Sequence, residues 1–434
     1  MQLARAHIIS LLPTATVTDA AHARLLAAPA EALASIALDG SLPWWRRRPC
    51  ALALRGRVPT ESGPALFERL RDRGEVEEIR IAILEVLADG PACDEELLRW
   101  LRSEEGGENS PRLAGLMLAA RARCGDLRAV PALSRIAADA WLSRREIGEF
   151  GLDALMDARG EAAVITELGA ESVTTLALAG RHTGDRLLGV RLLHRSGRDV
   201  SGALADVDVV VAHAAYELLS GSRITDNAVL HALVEAGRDA VAECTSMAPS
   251  GAAGACLWAL AVLHRRGVDV APSWRALGSP RIALDGVPND VRLAILREYV
   301  PGQRRTDPRW ILEAACVPLP PPPDAAVQLR AALDALTECG VHPAEPVAAG
   351  DVYEQGAGSY YRIAVDGGYV EISTLGLFAS VETNAAGAQA ALVGAGFRCV
   401  DAALCQISFA GLHVYYFGAR DPLAIGRLLF YWQD

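Results

Sequence analysis

Apolar residues recur along most of the chain at intervals of three and four, a spacing that predicts α-helices. The clearest case is residues 127–162. A first stripe at 130–137 has Pro131 in its first turn, where a missing amide hydrogen costs little. A second stripe at 147–155 includes Phe150. The segment therefore predicts two antiparallel helices joined by a turn.

Weaker copies of this helix pair recur from residue 63 to about residue 340, with about 35 residues per copy. The unit has a short first helix with a proline near its start, then a turn, and then a second helix that is rich in small residues and opens with an arginine. This order of features resembles the HEAT repeat. The resemblance implies stacked helix pairs, because neither helix can bury its stripe alone. It also implies a ladder of hydrogen bonds between repeats, made by the charged residues that open each second helix. These residues are Arg80, Arg112, Arg144, Arg145, Asp185, Arg186, Asp208, Asp290 and Arg292.

From about residue 345 the apolar residues alternate with a period of two, which predicts β-strands. The alternation covers 360–365, the Asp-Gly-Gly sequence at 366–368 predicts a tight hairpin turn, and a return strand follows. Residues 351–434 also hold 13 of the 24 aromatic residues in the chain. The elements predicted beyond the hairpin are a strand at 377–381, a helix over 384–395 with Asn384 as its N-cap, strands at 397–401, 404–410 and 412–418, and an apolar helix over 422–432.

These patterns predict a mainly α protein in three parts. Residues 1–62 form a helical N-terminal cap, and residues 63–344 form a HEAT-like α-solenoid. Residues 345–434 form a small α+β domain with an antiparallel sheet and two helices on one of its faces.

The amino-acid composition limits the kinds of catalysis and binding that the chain can carry out. The chain contains no lysine, so all 42 of its positive charges are arginines, as is typical of a GC-rich bacterial genome. This excludes a Walker A lysine, a protein-kinase lysine and a Schiff-base lysine. The net charge of −11 disfavours a dedicated nucleic-acid binder. The histidines and cysteines lack metal-ligand spacing, and we expect no metal and no cofactor.

Location is predicted from what the sequence lacks. We find no signal peptide and no apolar run of the roughly 18–20 residues that a membrane span needs. Nine cysteines are scattered without a C-x-x-C motif, and their odd number fits a reducing cytoplasm better than a disulfide framework. We therefore predict a cytoplasmic protein without membrane contact.

Candidate contact residues lie where the repeat pattern fails. Residues 42–49 read LPWWRRRP, which predicts a loop rich in tryptophan and arginine. These residue types dominate binding hot spots, so the loop is a candidate partner site. The alternative is a packed tryptophan with arginine stacked over it at the end of the solenoid. The candidate residues here are Trp44, Trp45, Arg46, Arg47 and Arg48.

The aromatic C-terminal segment supplies a second set of candidate residues. These are Tyr360, Tyr361, Arg362, His413 and Tyr415. Before them, residues 355–361 superficially resemble a glycine-rich phosphate loop, but a plain strand–turn–strand is favoured because no helix follows. His213 lies on a predicted repeat helix, where we expect a core or interface residue. No catalytic residue is predicted.

Three hypotheses about function follow. The favoured one is a non-enzymatic bacterial scaffold whose solenoid binds a protein or peptide, with the C-terminal domain as a second contact or a site of self-association. The second is a nucleic-acid-binding protein of DNA repair or defence. The third is an enzyme with a pocket in the C-terminal domain, lined by tyrosines, Arg362 and His413.

Overall fold

The computed structural model describes residues 2–12, 18–88, 95–104, 106–302, 305–353, 356–382, 385–417 and 419–433. The chain forms two compact units, residues 1–189 and 190–434. The fold is mainly α with a C-terminal α+β part, which confirms the predicted fold class.

Unit 1 is helical throughout its described residues. Its helices are α1 (Gln2–Ser10), α2 (Asp19–Ala27), α3 (Ala30–Leu38), α4 (Trp44–Leu52), α5 (Gly63–Arg71), α6 (Glu77–Leu87), α7 (Glu95–Ser103), α8 (Pro111–Arg123), α9 (Val130–Ala137), α10 (Leu142–Arg159), α11 (Glu161–Glu167), α12 (Val173–Ala179) and α13 (Thr183–Arg195), the last of which continues past residue 189.

Second helices of successive pairs stack on one another in unit 1. Helix α4 packs on α6, α6 on α8, and α8 on α10. Local signals fix where these helices begin: Pro111 opens α8, and the Ser110 hydroxyl before it accepts a hydrogen bond from the Leu113 amide. One apolar cluster runs from Ile8 to Ala120, so each pair buries its stripe against its neighbours.

The contact face of α10 differs from the predicted stripe. Phe150 is 71% exposed, so its assignment to the buried stripe is wrong. A Cβ on Gly148 would lie 2.5 Å from the backbone nitrogen of Ala137, and one on Gly151 would meet the Leu133 side chain at the same distance. Helix α10 therefore approaches α9 through its glycines, and this crossing turns Phe150 outward.

Unit 2 begins with helices and ends with short strands interleaved with helices. Its helices after α13 are α14 (Val209–Gly221), α15 (Asn227–Ala236), α16 (Arg238–Ala242), α17 (Gly251–Arg265), α18 (Ala271–Ala276), α19 (Asn289–Tyr299), α20 (Pro308–Cys316), α21 (Ala325–Glu338), α22 (Ala349–Val352), α23 (Ala386–Gly394), α24 (Ala402–Gln406) and α25 (Ile425–Leu429). Its strands are β1 (Val347–Ala348), β2 (Ala357–Gly358), β3 (Tyr360–Val365), β4 (Gly368–Ser373), β5 (Phe378–Val381), β6 (Arg398–Cys399), β7 (Ser408–Tyr416), β8 (Ala419–Ala424) and β9 (Trp432–Gln433).

Helix α17 is the centre of the helical part of unit 2. Residues 253–263 are all buried, and α14, α15, α16 and α20 pack around them. A helix that is apolar on every side has to be covered on every side. Helix α17 begins at Gly251, directly after Ser250.

The predicted hairpin is present, with Val365 paired to Gly368 and Gly367 at φ 87°. It lies in a five-stranded sheet of order β1-β3-β4-β5-β6, in which β5 and β6 are parallel. The sheet is therefore mixed rather than purely antiparallel. Helices α21 and α23 cover one face, where Leu336 and Leu392 pack on the sheet. Asn384, the predicted N-cap, lies outside the described residues.

Two predicted elements near the C-terminus are wrong. Residues 402–406 form α24 instead of part of a strand, and β7 begins at Ser408. The predicted helix over 422–432 is helical only in α25, because β8 pairs with β7 through Pro422 opposite His413. Proline is acceptable there because β8 has no second neighbouring strand in this two-stranded ribbon.

The C-terminal strands share a core with helices α19 and α20. The Trp310 ring stacks on Phe409 at 4.7 Å, and its indole nitrogen donates to the Ala410 carbonyl. The Asp307 amide donates to the carbonyl of Gly411, which is at φ 76° where the pairing of β7 with β8 is irregular. A side chain on Gly411 would meet Ile282, Asp307 and Trp310, so this close approach requires glycine.

Within the described ranges, no helix combines the length and the apolar character that crossing a membrane would require. Cys124 is disulfide-bonded, which its scattered spacing does not predict. The described cysteines with free thiols are Cys50, Cys244, Cys256, Cys316, Cys339, Cys399 and Cys405.

Candidate functional site

The first predicted site is a helix rather than a loop. Residues 44–52 form α4, with Pro43 before its first turn. Trp44 is exposed, and Trp45 is half-buried with the Arg46 guanidinium 4.7 Å from its ring. Arg46 also donates to the Leu12 carbonyl at 3.0 Å. These contacts match the alternative in which arginine stacks on a packed tryptophan.

Arg47 is a buried structural residue. Its Nε donates to the Ala37 carbonyl at 3.0 Å, near the end of α3, where helix carbonyls lack partners within the helix. Its two terminal nitrogens donate to the Glu75 carboxylate at 3.0 and 2.5 Å. The two side chains are only 4% and 5% exposed. Arg47 thus joins helix α3, helix α4 and the turn before α6, and it has little surface left for a partner.

The same arrangement recurs in α6, where Arg80 follows Arg47 by 33 residues. The Arg80 Nε donates to the Leu70 carbonyl at 2.9 Å, and its guanidinium pairs with Glu108 at 2.8 Å. In unit 2, Arg292 of α19 donates to the Ile282 carbonyl and to Glu313. Each of these arginines is the fourth residue of its helix, and each binds a carbonyl ten residues earlier.

The other predicted ladder positions give mixed results. Asp185 is buried and accepts from the Ser134 hydroxyl at 2.5 Å, which links α13 to α9. Asp208 accepts from the Val210 amide as an N-cap. Arg112 is exposed at the second position of α8, so its assignment to the ladder is wrong. We call the carbonyl and carboxylate contacts of Arg47, Arg80 and Arg292 the arginine ladder.

The arginine ladder lowers the pKa values of its carboxylates Glu75 and Glu108. Burial opposes ionisation of Glu75, but hydrogen bonds from Arg47 and the Val76 amide outweigh it and lower the pKa. Burial likewise opposes ionisation of Glu108, and hydrogen bonds from Arg80 and the Ser110 amide again give a lowered pKa. Both carboxylates are therefore charged in the folded protein at neutral pH.

The second predicted site lies on a surface of aromatic rings in the C-terminal part, which we call the aromatic surface. Three of its rings are widely exposed: Tyr353 by 44%, Phe417 by 46% and Tyr369 by 36%. Large aromatic side chains usually bury most of their area. The full set is Tyr353, Arg362, Tyr369, Tyr415, Tyr416, Phe417, Arg420, Tyr431 and Trp432.

Five rings of this surface touch in an unbroken series. Tyr353 lies 4.3 Å from Trp432, and Trp432 lies 5.5 Å from Phe417, measured between ring centroids. Phe417 in turn contacts Tyr416 at 4.4 Å, and Tyr416 contacts Tyr431 at 5.6 Å. These five rings therefore form one contiguous patch, and Arg362 connects the Tyr369 ring to it.

Two arginines lie over these rings. The Arg362 guanidinium is 4.5 Å from the Tyr369 ring and 5.9 Å from the Tyr353 ring, and it donates to Glu371 at 2.8 Å. Burial would lower the pKa of Arg362, but Glu371 raises it overall, so the cation persists at every ordinary pH. Arg420 lies 5.5 Å from the Tyr415 ring. Stacked arginine adds cation–π attraction and hydrogen-bond donors.

Strand pairing holds this surface in place. Arg362 faces Glu371 across β3 and β4, and Gly358 pairs with Trp432 across β2 and β9. A side chain on Gly358 would lie 2.5 Å from the Tyr431 carbonyl, so glycine permits this approach. The glycine-rich segment before β3 thus includes strand β2, as the favoured interpretation predicts.

The chain turns between β7 and β8 at Phe417. This residue has φ 42°, a left-handed conformation that a bulky side chain seldom adopts. Residues held in strained backbone conformations cluster at functional sites, and such a conformation costs stability at this position.

The predicted C-terminal residues take different places. Arg362 and Tyr415 belong to the aromatic surface. Tyr360 is buried, and burial together with its hydrogen bond to Tyr353 raises its pKa. Tyr361 is half-buried opposite Ile372. The half-buried His413 contacts the Arg420 carbonyl through Nδ1 at 2.9 Å.

Sequence reasoning missed seven of the nine members of the surface, which are Tyr353, Tyr369, Tyr416, Phe417, Arg420, Tyr431 and Trp432. Their concentration after residue 351 was visible, but alternation cannot tell which aromatic rings a two-layer sheet covers. Among the described residues, no group of three His, Cys, Asp or Glu side chains is arranged to hold a metal ion.

Comparison of the chain with models of protein families, with curated proteins and with solved structures finds no match. The chemistry of the aromatic surface therefore rests on its own residues. It offers flat apolar area, tyrosine hydroxyls and two stacked cations.

Proposed function

We propose that this chain is a non-enzymatic bacterial scaffold, and that its aromatic surface binds a protein or peptide partner. The observation that carries the proposal is the contiguous set of exposed rings around Phe417 and Tyr353, flanked by Arg362 and Arg420. Tyrosine, tryptophan and arginine are the residues most enriched among binding hot spots. Exposed apolar patches on a folded surface usually mark such contacts.

The helical repeats would serve as the frame of this scaffold, in keeping with the resemblance to HEAT arrays. The arginine ladder supports that view, because it uses the arginines of α4 and α6 for stacking and not for contact with a ligand. We also propose the cytoplasm as the compartment. The free thiols favour it, whereas the disulfide at Cys124 argues against it.

The test is a quantitative pull-down from cell extract that compares the full chain with Phe417→Ser. The matched control is Phe150→Ser, which removes an exposed aromatic ring from unit 1. We expect one or more proteins to be retained by the parent and by Phe150→Ser but lost by Phe417→Ser. The same protein, once purified, should then bind the parent directly.

Two outcomes would contradict the proposal. If both variants retain the same proteins and light scattering finds a monomer, the surface is not a contact site. If the retained material disappears after nuclease treatment or falls steeply with salt, the surface binds nucleic acid, since base stacking on aromatic rings uses the same residue types.

A further inference from the structure

A cavity of about 560 Å³ lies within unit 2, between α14, the end of α17, α19 and α20. Its volume falls in the range of small-molecule sites. None of its lining residues belongs to the aromatic surface. The cavity is therefore a separate feature.

The two walls of this cavity differ in chemistry. Helix α14 contributes polar residues at positions i, i+3, i+4 and i+7, which lie on one helix face. The opposite wall is apolar and includes small residues that leave the space open. The polar residues of α14 are His213, Tyr216, Glu217 and Ser220, and the apolar wall includes Leu296, Val300, Ile311, Ala314 and Leu319.

The last turn of α17 adds His264 and Arg265. Both are exposed, so a ligand entering from solvent meets them first. Burial lowers the pKa of His264, and the neighbouring charge of Arg265 lowers it further, so this imidazole is neutral at pH 7. Burial raises the pKa of Tyr216, which keeps its phenol protonated beside Arg265.

Charge and hydrogen bonding leave specific groups available for a ligand. Glu217 lies beside the His213 ring, with 3.8 Å between the carboxylate oxygen and Nδ1. No ion pair joins Arg265 to any described residue. The Arg265 guanidinium hydrogen-bonds to the Tyr216 phenol, which holds the cation beside the cavity.

His213 anchors this wall. It is buried, as the sequence predicts for a core residue, and its ring packs edge-on against Trp258 at 5.7 Å. Tyr216 also contacts Trp258, at 5.3 Å. The polar face of α14 is thus fixed by contacts with α17, which preorganises the cavity for binding.

We propose that this cavity binds a small monocarboxylate with an apolar body. The acid group would lie on the Arg265 guanidinium, and the body would lie against Leu296, Ile311 and Ala314. A carboxylate suits this wall because arginine binds it with charge-assisted hydrogen bonds.

The experiment compares hexanoate, hexanol and hexylamine, which share an apolar body and differ in charge. Each is titrated into the full chain by ligand-observed NMR and calorimetry. We expect hexanoate to bind about tenfold or more tightly than hexanol, because a hydrogen bond to a charged group is lost in the alcohol. Hexylamine should bind most weakly.

Variants connect the binding to the cavity. Arg265→Gln should remove the preference for the acid while hexanol binding persists. Ala314→Trp fills the cavity and should abolish binding of all three compounds. Arg238→Gln, on exposed α16, is the matched control and should bind as the parent does. Circular dichroism on each variant separates loss of binding from loss of fold.

Several results would overturn the proposal. Tightest binding of hexylamine would show that Glu217 governs the cavity. Equal affinities, no binding of hexanoate to the parent, or hexanoate binding unchanged in folded Ala314→Trp would each remove the carboxylate site.

Discussion

The two regions that the sequence nominates as contact sites differ in what their arginines do. In α4, Arg47 is buried between a helix-end carbonyl and Glu75, and it repeats as Arg80 one helix pair later. In the C-terminal part, Arg362 lies over tyrosine rings at the surface. A repeated arginine at a fixed helix position thus indicates stacking, whereas the unrepeated Arg362 lies among exposed rings, where we propose that a partner binds.

The largest loss of stability is expected from Arg47→Ala, which tests whether this arginine is structural. The change leaves the buried Glu75 with only its longer contact to Arg69, and breaking a buried pair typically costs about 3–5 kcal/mol. Neighbouring Arg48 is half-buried, and Arg48→Ala should cost no more than about 0.5 kcal/mol. Chemical denaturation of both variants measures the difference. Equal losses would refute the structural role of Arg47.

Acid should reduce the stability that the arginine ladder contributes, by a smaller amount than Arg47→Ala does. The folded-state pKa values of Glu75 and Glu108 lie below the ordinary 4.5. Their contribution is therefore fully present above about pH 4.5 and is lost as the pH falls through the lowered values. Denaturation at a series of pH values measures this slope.

Glu75→Gln removes one titrating group from the ladder, so its stability should depend less on pH in this range. Glu68→Gln changes an exposed carboxylate paired with Arg71 and should keep the parental slope. If the stability of Glu75→Gln depends on pH as steeply as that of the parent, the ladder does not cause the sensitivity to acid.

Replacing a glycine with alanine should change the stability in opposite directions in helix α10 of unit 1 and helix α23 of unit 2. Gly148→Ala forces a methyl group against the backbone of α9, and overpacking of this kind costs about 1–3 kcal/mol. Gly387→Ala in α23 meets only Val341 at 3.8 Å and should stabilise by up to about 1 kcal/mol, because alanine favours the helix. Thermal melting of the two variants tests the signs. A stabilised Gly148→Ala would mean that α9 and α10 pack less closely than described.

A small loss of stability is expected from Arg362→Ala. Its pair with Glu371 lies nearer the surface, so its loss should cost about 1 kcal/mol or less. Binding of a partner protein, measured by titration, should weaken much more than stability does. A loss of stability as large as that of Arg47→Ala would instead place Arg362 among the structural arginines.

Periodicity in the sequence predicts the fold class well because amphipathic helices and alternating strands have different periods. It fails where packing overrides the local pattern. Residues 422–424 are apolar enough to continue a helix, yet they pair with β7 as a strand. The segment 44–48 lacks an apolar stripe, yet it is helical, and Arg47 within it is bound by α3 and Glu75.

The candidate site is harder to predict than the fold. Arg47 and Arg362 both lie beside aromatic residues in the sequence, and only the structure distinguishes the buried one from the surface one. The 33-residue interval between Arg47 and Arg80 is the one sequence signal that could have separated them. No sequence signal of this kind predicts the exposure of Phe417, because the exposure depends on the position of the turn between β7 and β8.

The arginine ladder also has a consequence for how the chain can change in length. Arg47, Arg80 and Arg292 each bind a carbonyl ten residues earlier, so an insertion or deletion inside that interval would move the donor away from its acceptor. We expect length variation to be tolerated in other connections, such as the stretch between α4 and α5. The ten-residue interval acts as a fixed spacer, and it marks the places where circular permutation or domain insertion should fail.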